Sequence, residues 1–347
     1  MKDTSRRPAR WQAPVLGPVA PLCAMLCATL YAMLYAMLYA MLYATEAFAQ
    51  AYPARPVRVV VPNAPGGLSD TCARLIAPGL GQRLGQTIVV ENRAGAGGTI
   101  ATAAVARAAP DGYTLIAVFD AHASNPHLFR NLEYDPVADF SAVSLLVRGP
   151  LVLVVHPGLQ ARSVSELVRM AKAKPGAVNF ATVGPGSPAR LLAEYFKLVA
   201  GVDVTLVPYK GAAGALTDLV SGEVDAMFAT VPSVSPHWKA GRLRALAVTS
   251  EKPSAAMPGV ATMGETYPGY VAESWVGLLA PAKTPPEIVE RLHAEIVNVL
   301  AAPELRARFA GQGLESVGST PAELDQWLRA ETGRWGRIIR ERGIVIE

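Results

Sequence analysis

Short apolar runs alternate with longer amphipathic stretches along most of the chain, and the two periods predict different elements. Val57 to Val61 is rich in β-branched residues, is too short for a helix and ends at Pro62, which is the pattern of a strand buried on both faces. From about Leu68 the spacing of Leu68, Cys72, Leu75, Ile76 and Leu80 is that of an amphipathic helix. Thr87 to Asn92 gives a second strand, and Arg93 to Ala108 a glycine-rich turn feeding an alanine-rich helix. Asp111-Gly112 turns the chain into a third strand that runs through Phe119. Phe119 to Phe129 is polar and reads as irregular, and Ser141 to Gly158 reads as two strands divided by Gly149-Pro150, a crossing between lobes.

The same alternation then repeats. Ser163 caps a helix from Val164 to Lys174, with Glu166 placed for a capping box. Asn179 to Gly201 reads as strand, Gly-Pro-Gly-Ser turn and helix, and Val204 to Phe228 as strand, Lys210-Gly211 turn, helix and strand. A helix through about Lys239, a strand from Leu243 to Ser250, another from Ser274 to Ala280 and three proline-opened helices complete the chain. Strands alternating with helices predict an α/β fold with a largely parallel sheet.

Three turns share one construction. PNAPGGLSD, TVGPGSPA and PYKGAAGA each place glycine and small or hydroxyl residues between a strand and a helix start. Such a corner leaves backbone N–H groups unpaired and facing one spot, with the helix dipole behind them, and so favours anions. An isolated Gly-Gly pair would only mark a close turn; repetition in two predicted lobes implies donors converging on a cleft from both sides. The stretch after Arg93 lacks a full G-x-G-x-x-G fingerprint because Ile100 holds its last position, so a dinucleotide site is not supported. His122 and His127 stand five apart without a cysteine or carboxylate at a familiar metal spacing, and no metal is expected. G-x-S-x-G, H-E-x-x-H and Walker patterns are absent, which speaks against an enzyme.

Composition adds a compartment. The chain has 347 residues, 51% of them hydrophobic and 17% charged, enough for two lobes. Lys2, Arg6, Arg7 and Arg10 precede an apolar stretch, roughly residues 15 to 44, that ends near the small-x-small site Ala47-Phe48-Ala49. This order is that of a secretory signal over residues 1–49. Within it Tyr-Ala-Met-Leu occurs three times in tandem from Tyr31 to Leu42, which lengthens the apolar run enough to span a bilayer. Cleavage and release to the periplasm is the expectation, with retention as an anchor the alternative. Of the 32 basic and 28 acidic residues, four and two respectively lie in residues 1–49, leaving a net charge of +2 and no basic run for nucleic acid. Cys72 then becomes the sole cysteine, on the helix face read as core, so no intramolecular disulfide is possible.

From Tyr52 to Ile346 the sequence resembles the Bug-type substrate-binding proteins of tripartite tricarboxylate transporters. VPNAPGGLSDTCAR, VENRAGAGGTIA, PDGYTL, NPHLF, YDPVADF, PYKGAAGALTDLVSGEVDAMF and GRLRALAVTS carry the resemblance in family order. It implies a two-lobed periplasmic-binding-protein fold (a Venus flytrap) with a ligand cleft between the lobes. Lobe 1 is then expected at 50–148 and 250–347, and lobe 2 at 149–249. The implied function is an extracytoplasmic receptor that binds a small organic acid and delivers it to membrane permease subunits, without a cofactor and as a monomer. A ligand-sensing subunit for a signalling partner would use the same cleft. Residues expected at the ligand are Asn63, Ala64, Gly66, Gly67, Ser69 and Asp70; Thr182, Gly184, Gly186 and Ser187; and Tyr209, Lys210 and Gly211.

Three side chains in that set have structural alternatives. Asp70 either orients its loop, receives a donor from the ligand or stabilises the helix N-terminus, Lys210 either charges the cleft or is solvated, and Ser187 either meets the ligand or caps a helix. Asn63 stands where the family commonly has an aromatic residue. Thr182 and Arg190 replace residues more often serine and histidine, and Ala229-Thr230 occupies a place where aspartate is common, which disfavours ammonium-bearing ligands. Intact-mass measurement of protein recovered from the periplasm is expected to give an N-terminus at or near Gln50; full-length protein confined to the membrane fraction would favour the anchor.

Overall fold

The computed structural model describes residues 19–46, 52–183, 187–209 and 211–344. Residues 1–52 form a unit of their own. Its helix α1 (Val19–Glu46) carries the Tyr-Ala-Met-Leu repeats, and successive tyrosines Tyr31 and Tyr35 stack at 6.5 Å between ring centroids. The expected cleavage site lies outside the described residues. Among the described residues no helix is long and apolar enough to cross a membrane.

The second unit, residues 53–347, holds the α/β fold. Its first part runs β1 (Val57–Val61), α2 (Leu68–Leu84), β2 (Ile88–Asn92), a 3-10 turn at Ala96–Gly98, α3 (Thr99–Ala106), β3 (Thr114–Phe119), α4 (Ala121–Leu128) and β4 (Phe140–Val155). There follow α5 (Val164–Ala173), β5 (Asn179–Val183), α6 (Pro188–Ala200), β6 (Thr205–Tyr209), α7 (Ala212–Ser221), β7 (Ala226–Thr230), α8 (Val231–Lys239) and β8 (Arg244–Val248). The chain ends with α9 (Met263–Thr266), β9 (Glu273–Pro281), α10 (Pro286–Leu300), α11 (Pro303–Gly311), β10 (Glu315–Ser316) and α12 (Pro321–Arg342).

Three expectations need correction, the first being the largely parallel sheet: β1, β2 and β3, and likewise β5, β6 and β7, are parallel among themselves, but β4 is antiparallel to every strand it pairs with. Gly149-Pro150 does not divide two strands: β4 is one strand of 16 residues, paired across that point with Ser274 and Glu273 of β9. The residues after Phe119 are not irregular but form α4, whose His122, Ser124 and Asn125 are buried although polar. Burial of Ala121, Ala123 and Leu128 beside them, and packing against α12, offset the intrahelical bond that Pro126 removes.

β4 sets the direction of everything else. Its first half pairs antiparallel with β9, which pairs antiparallel with β3, and β3, β1 and β2 are mutually parallel. Its second half pairs antiparallel with β7, and β7, β5 and β6 are mutually parallel. Hence β1, β2 and β3 run with β4, whereas β5, β6 and β7 run against it. Their C-terminal ends point toward one another. Phe119 of β3 registers with Val276 of β9 and so with Val147 of β4, while Thr230 of β7 registers with Leu151, so the two sets of ends meet at the middle of β4.

Each half has apolar layers beneath its helices. Phe180, Phe196 and Phe228 form a buried aromatic group around β5, α6 and β7, and Trp275, Leu324, Leu328, Trp335 and Ile338 pack between β9 and α12. Trp335 is core, Trp327 is partly buried against it, and Cys72 is 1% exposed, its thiol pushed up by burial. Gly149 fits because a Cβ there would come within 2.5 Å of the carbonyl oxygen of Gly313. Backbone cannot yield as a side-chain tip does, so Gly149→Val is expected to lower unfolding free energy by about 1–3 kcal/mol or more in a denaturant titration.

Candidate ligand-binding site

The first corner is built from β1 outward. Val61 ends the strand, Gly66 turns the chain at φ +86, and Gly67 becomes the N-cap of α2. Only Gly66 needs glycine for its backbone angle. Gly67 is extended (φ −69, ψ 166), and a Cβ there would lie 2.5 Å from the Asn63 side-chain amide nitrogen, so a side chain at this position would have to displace Asn63. No side chain caps α2, so its first N–H groups are left to whatever occupies the corner.

Asp70 holds this loop from inside. The Gly66 N–H donates to its Oδ2 at 2.9 Å, and the Arg74 Nε and Asn92 Nδ2 donate to Oδ1 at 2.9 and 2.8 Å. Asn92 also donates to the Asn63 carbonyl at 3.2 Å and accepts from Arg74 Nη2 at 2.7 Å. Burial opposes the Asp70 charge, but the Gly66 N–H, Asn92 and Arg74 outweigh it and hold the carboxyl below its ordinary range. Among the three roles open to Asp70, these bonds are those of orienting the loop. Ser69 is fully buried with Oγ unpartnered among the described residues, and so is the Asn63 Oδ1. Ala64 lies exposed on the turn.

A second glycine turn packs behind the first. Gly97 and Gly98 have φ +64 and +92, and a Cβ on Gly98 would lie 3.0 Å from Pro62 Cβ. Asn125 of α4 donates to the Gly97 carbonyl at 3.1 Å. Asn92 and Asn125 thus fix both turns, and sequence reasoning missed them. Asn92 sits at the C-terminal end of β2, where an amide can reach the neighbouring turn, and that placement was the available signal.

Val183 and Tyr209 end the neighbouring parallel strands β5 and β6 in register, with Thr182 one residue before the end of β5. The buried Thr182 hydroxyl donates to the Val207 carbonyl at 3.4 Å. Ser187 Oγ accepts from the Arg190 N–H at 3.2 Å and so caps α6. Tyr209 donates to Asp218 at 2.6 Å, and that bond first, with burial second, pushes its phenol up to about 12. Gly211 caps α7 in an extended conformation any residue adopts, with nothing within 4 Å of an added Cβ. Gly184, Gly186 and Lys210 lie outside the described residues.

The described ends of β1, β5 and β6 therefore face each other along β4. The two histidines take no part: His122 Nε2 lies 2.8 Å from the Pro136 carbonyl and His127 Nε2 2.9 Å from that of Thr332. Among the described residues no cluster of histidine, cysteine or carboxylate could hold a metal.

Residues 72–344 match the tripartite tricarboxylate transporter family receptor. The chain belongs to that receptor family. It is 40% identical over 302 residues to protein BugT of Bordetella pertussis, covering 86% of this chain and 93% of BugT. It is similar in structure to R. palustris Rpa4515 with adipate, at TM-score 0.75 and 36% identity over 85% of this chain and 100% of that one. MatC from Rhodopseudomonas palustris with bound malate matches at TM-score 0.72 and 35% identity, over 83% of this chain and all of MatC. Receptors of this family have the two-lobed periplasmic-binding-protein fold, and so does this chain.

The Asp70 bonds give a stability test. A carboxyl held low contributes stability that is present above its unfolded pKa, near 3.8, and is lost as pH falls through the folded value. Asp70→Asn is expected to cost about 1.5–3 kcal/mol at pH 7, the range for hydrogen bonds to a charged group. The deficit should shrink below pH 4 in chemical-denaturation curves, and one constant from pH 3 to pH 7 would mean that the charge contributes nothing.

Proposed function

We propose that this receptor closes its two lobes on a small carboxylate in the periplasm and presents it to membrane permease subunits. The observation that carries this reading is the opposed sense of the two strand sets about β4. It aims the C-terminal ends of β1, β5 and β6, which lead into the three glycine corners, at one another. There, N–H groups at uncapped helix starts and buried hydroxyls such as Ser69 supply donors that need no matching set of cations.

We assign the ligand to the corner of Asn63, Ala64, Gly66, Gly67 and Ser69 on one side. On the other side we assign it to Thr182, Gly184, Gly186 and Ser187 with Tyr209, Lys210 and Gly211. Asp70 holds the first corner without touching the ligand. Residues 50–148 and 250–347 would then move as one lobe and 149–249 as the other. The two crossings between them then fall beside Pro150 and Thr249, which neighbour each other through the Thr249 N–H bond to the Leu151 carbonyl. Adipate and malate in the two relatives support a dicarboxylate as the ligand class. Residues 1–49 direct export and are removed.

Mature protein should therefore bind one malate, adipate or related dicarboxylate without chemical change, read by calorimetry and by the mass of the recovered ligand. At 100 times its dissociation constant the ligand is expected to add about 2.7 kcal/mol of stability. Small-angle scattering should show a smaller radius of gyration with ligand, because contacts to both lobes exist only when they close. Absence of binding across a panel of mono-, di- and tricarboxylates would overturn the reading, and turnover of a bound acid would replace it with an enzyme.

A further inference from the structure

Asp120 closes β3 and opens α4, at the end of the sheet where the corners lie. It is 6% exposed. Its Oδ2 accepts from the Ser274 hydroxyl at 2.7 Å and its Oδ1 from the Trp275 N–H at 3.2 Å. Ser274 stands opposite Gly149 on β4, so these bonds tie the end of β3 to the point where the two sets of strand ends meet. The same helix continues to Asn125, which holds Gly97, and Gly98 presses on Pro62 of the first corner. Asp120 is thus linked on one side to the middle of β4, through Ser274, and on the other, through Asn125, Gly97 and Gly98, to Pro62 of the first corner.

No cation bonds to Asp120 among the described residues. From α12, Glu331 adds a like charge, and Arg334 beside it is engaged by Glu331 and by the carbonyl of Val271. On β9, Glu273 faces Arg148 of β4 at 3.7 Å, and Arg148 is also paired with Glu315 of β10 at 3.0 Å. On α4 itself, burial drives His122 down to about 4, so it is neutral at pH 7. A carboxylate placed so has hydrogen bonds but no compensating charge.

We propose that Asp120 is a positioning residue that takes up a proton when a carboxylate ligand occupies the gap, so that this receptor binds the anion together with H⁺. The proposal rests on the receptor reading above. An ionised Asp120, buried at the end of β3 where the two sets of strand ends meet, opposes an incoming anion, whereas the neutral acid keeps an acceptor for Trp275 or Ser274 and withdraws the charge. Burial first, with Glu331 adding to it against the Ser274 and Trp275 bonds, pushes Asp120 up to about 7, which leaves the free protein mixed near neutral pH. A second negative charge close by raises it further. Binding then draws protons from solution, and affinity falls as pH rises past 7.

The test is calorimetric titration of malate and adipate into the mature protein at pH 7, in two buffers of different ionisation enthalpy. The heat for the unsubstituted protein should differ between buffers by the equivalent of roughly 0.3–0.5 proton per ligand, as expected for a group titrating near that pH. Asp120→Asn, a neutral isostere, should bind at least as tightly with heat independent of buffer and affinity flat from pH 6 to 8. Melting curves without ligand give an independent check. An acid raised from 3.8 to about 7 costs stability as pH climbs through that window, so the unsubstituted protein should lose stability relative to Asp120→Asn between pH 4 and 7. Buffer dependence shared by both proteins, or seen in neither while carboxylates bind, overturns the proton uptake alone. Failure of every carboxylate to bind either protein overturns the receptor reading and this proposal with it. A merely structural role for Asp120 would alter melting at all pH values and leave the proton count untouched.

Discussion

Antiparallel pairing along the whole of β4 is the constraint on which the rest of the structure depends. A strand with hydrogen-bonding partners on both edges dictates their sense, and here both partners along the path of the sheet, β9 and β7, run against it. The further parallel strands inherit one sense on the β9 side and the opposite sense on the β7 side. In open α/β sheets the carboxyl ends of strands are where loops can form a binding crevice. Two such sets aimed at each other produce a gap walled by strand ends on both sides. The close fit of Gly149 under the Gly313 carbonyl keeps that central point narrow.

The two sides of the gap meet their polar requirements differently. In the first corner a buried carboxylate, an asparagine and an arginine consume one another, and their common product is a fixed position for Gly66 and the Asn63 carbonyl. Such preorganisation lowers the ordering cost that any ligand must meet. On the other side the helix starts are handled singly: Ser187 caps α6 with its own hydroxyl, while α7 begins at a glycine with no side-chain cap. One wall is stiffened by a network and the other by local capping.

Much of the fold was legible because period and breaker residues agree at most elements, from the β-branched run of β1 to the Ser163 and Thr320 caps of α5 and α12. Two places were not. Gly149-Pro150 is a breaker by local rules, but Pro150 still sits opposite Glu273 at the end of the β9 pairing, and Gly149 answers to the distant backbone of Gly313. In α4 the polar residues point inward to bonds with backbone on other segments, so polarity no longer marks the solvent face. The glycines of the candidate site were visible in the sequence. Asn92, which holds the Asn63 carbonyl and Asp70, Asn125, which holds Gly97, and Asp120, which is bonded to β9, were not, since each acts on a residue far away in sequence and carries no motif of its own.

Charge placement follows from the same arrangement. Arg74, the cation nearest the first corner in sequence, is taken up by Asp70 and Asn92, and the chain beyond residue 49 carries a net charge of only +2. On the receptor reading, attraction for a carboxylate then comes from oriented N–H groups whose direction the fold has set, rather than from mobile cationic side chains. Dipoles of this kind act at short range and strengthen as water leaves a closing gap. They give little help to an acid that meets only one wall. A two-lobed frame with its strand ends opposed is what places a second set of donors opposite the first.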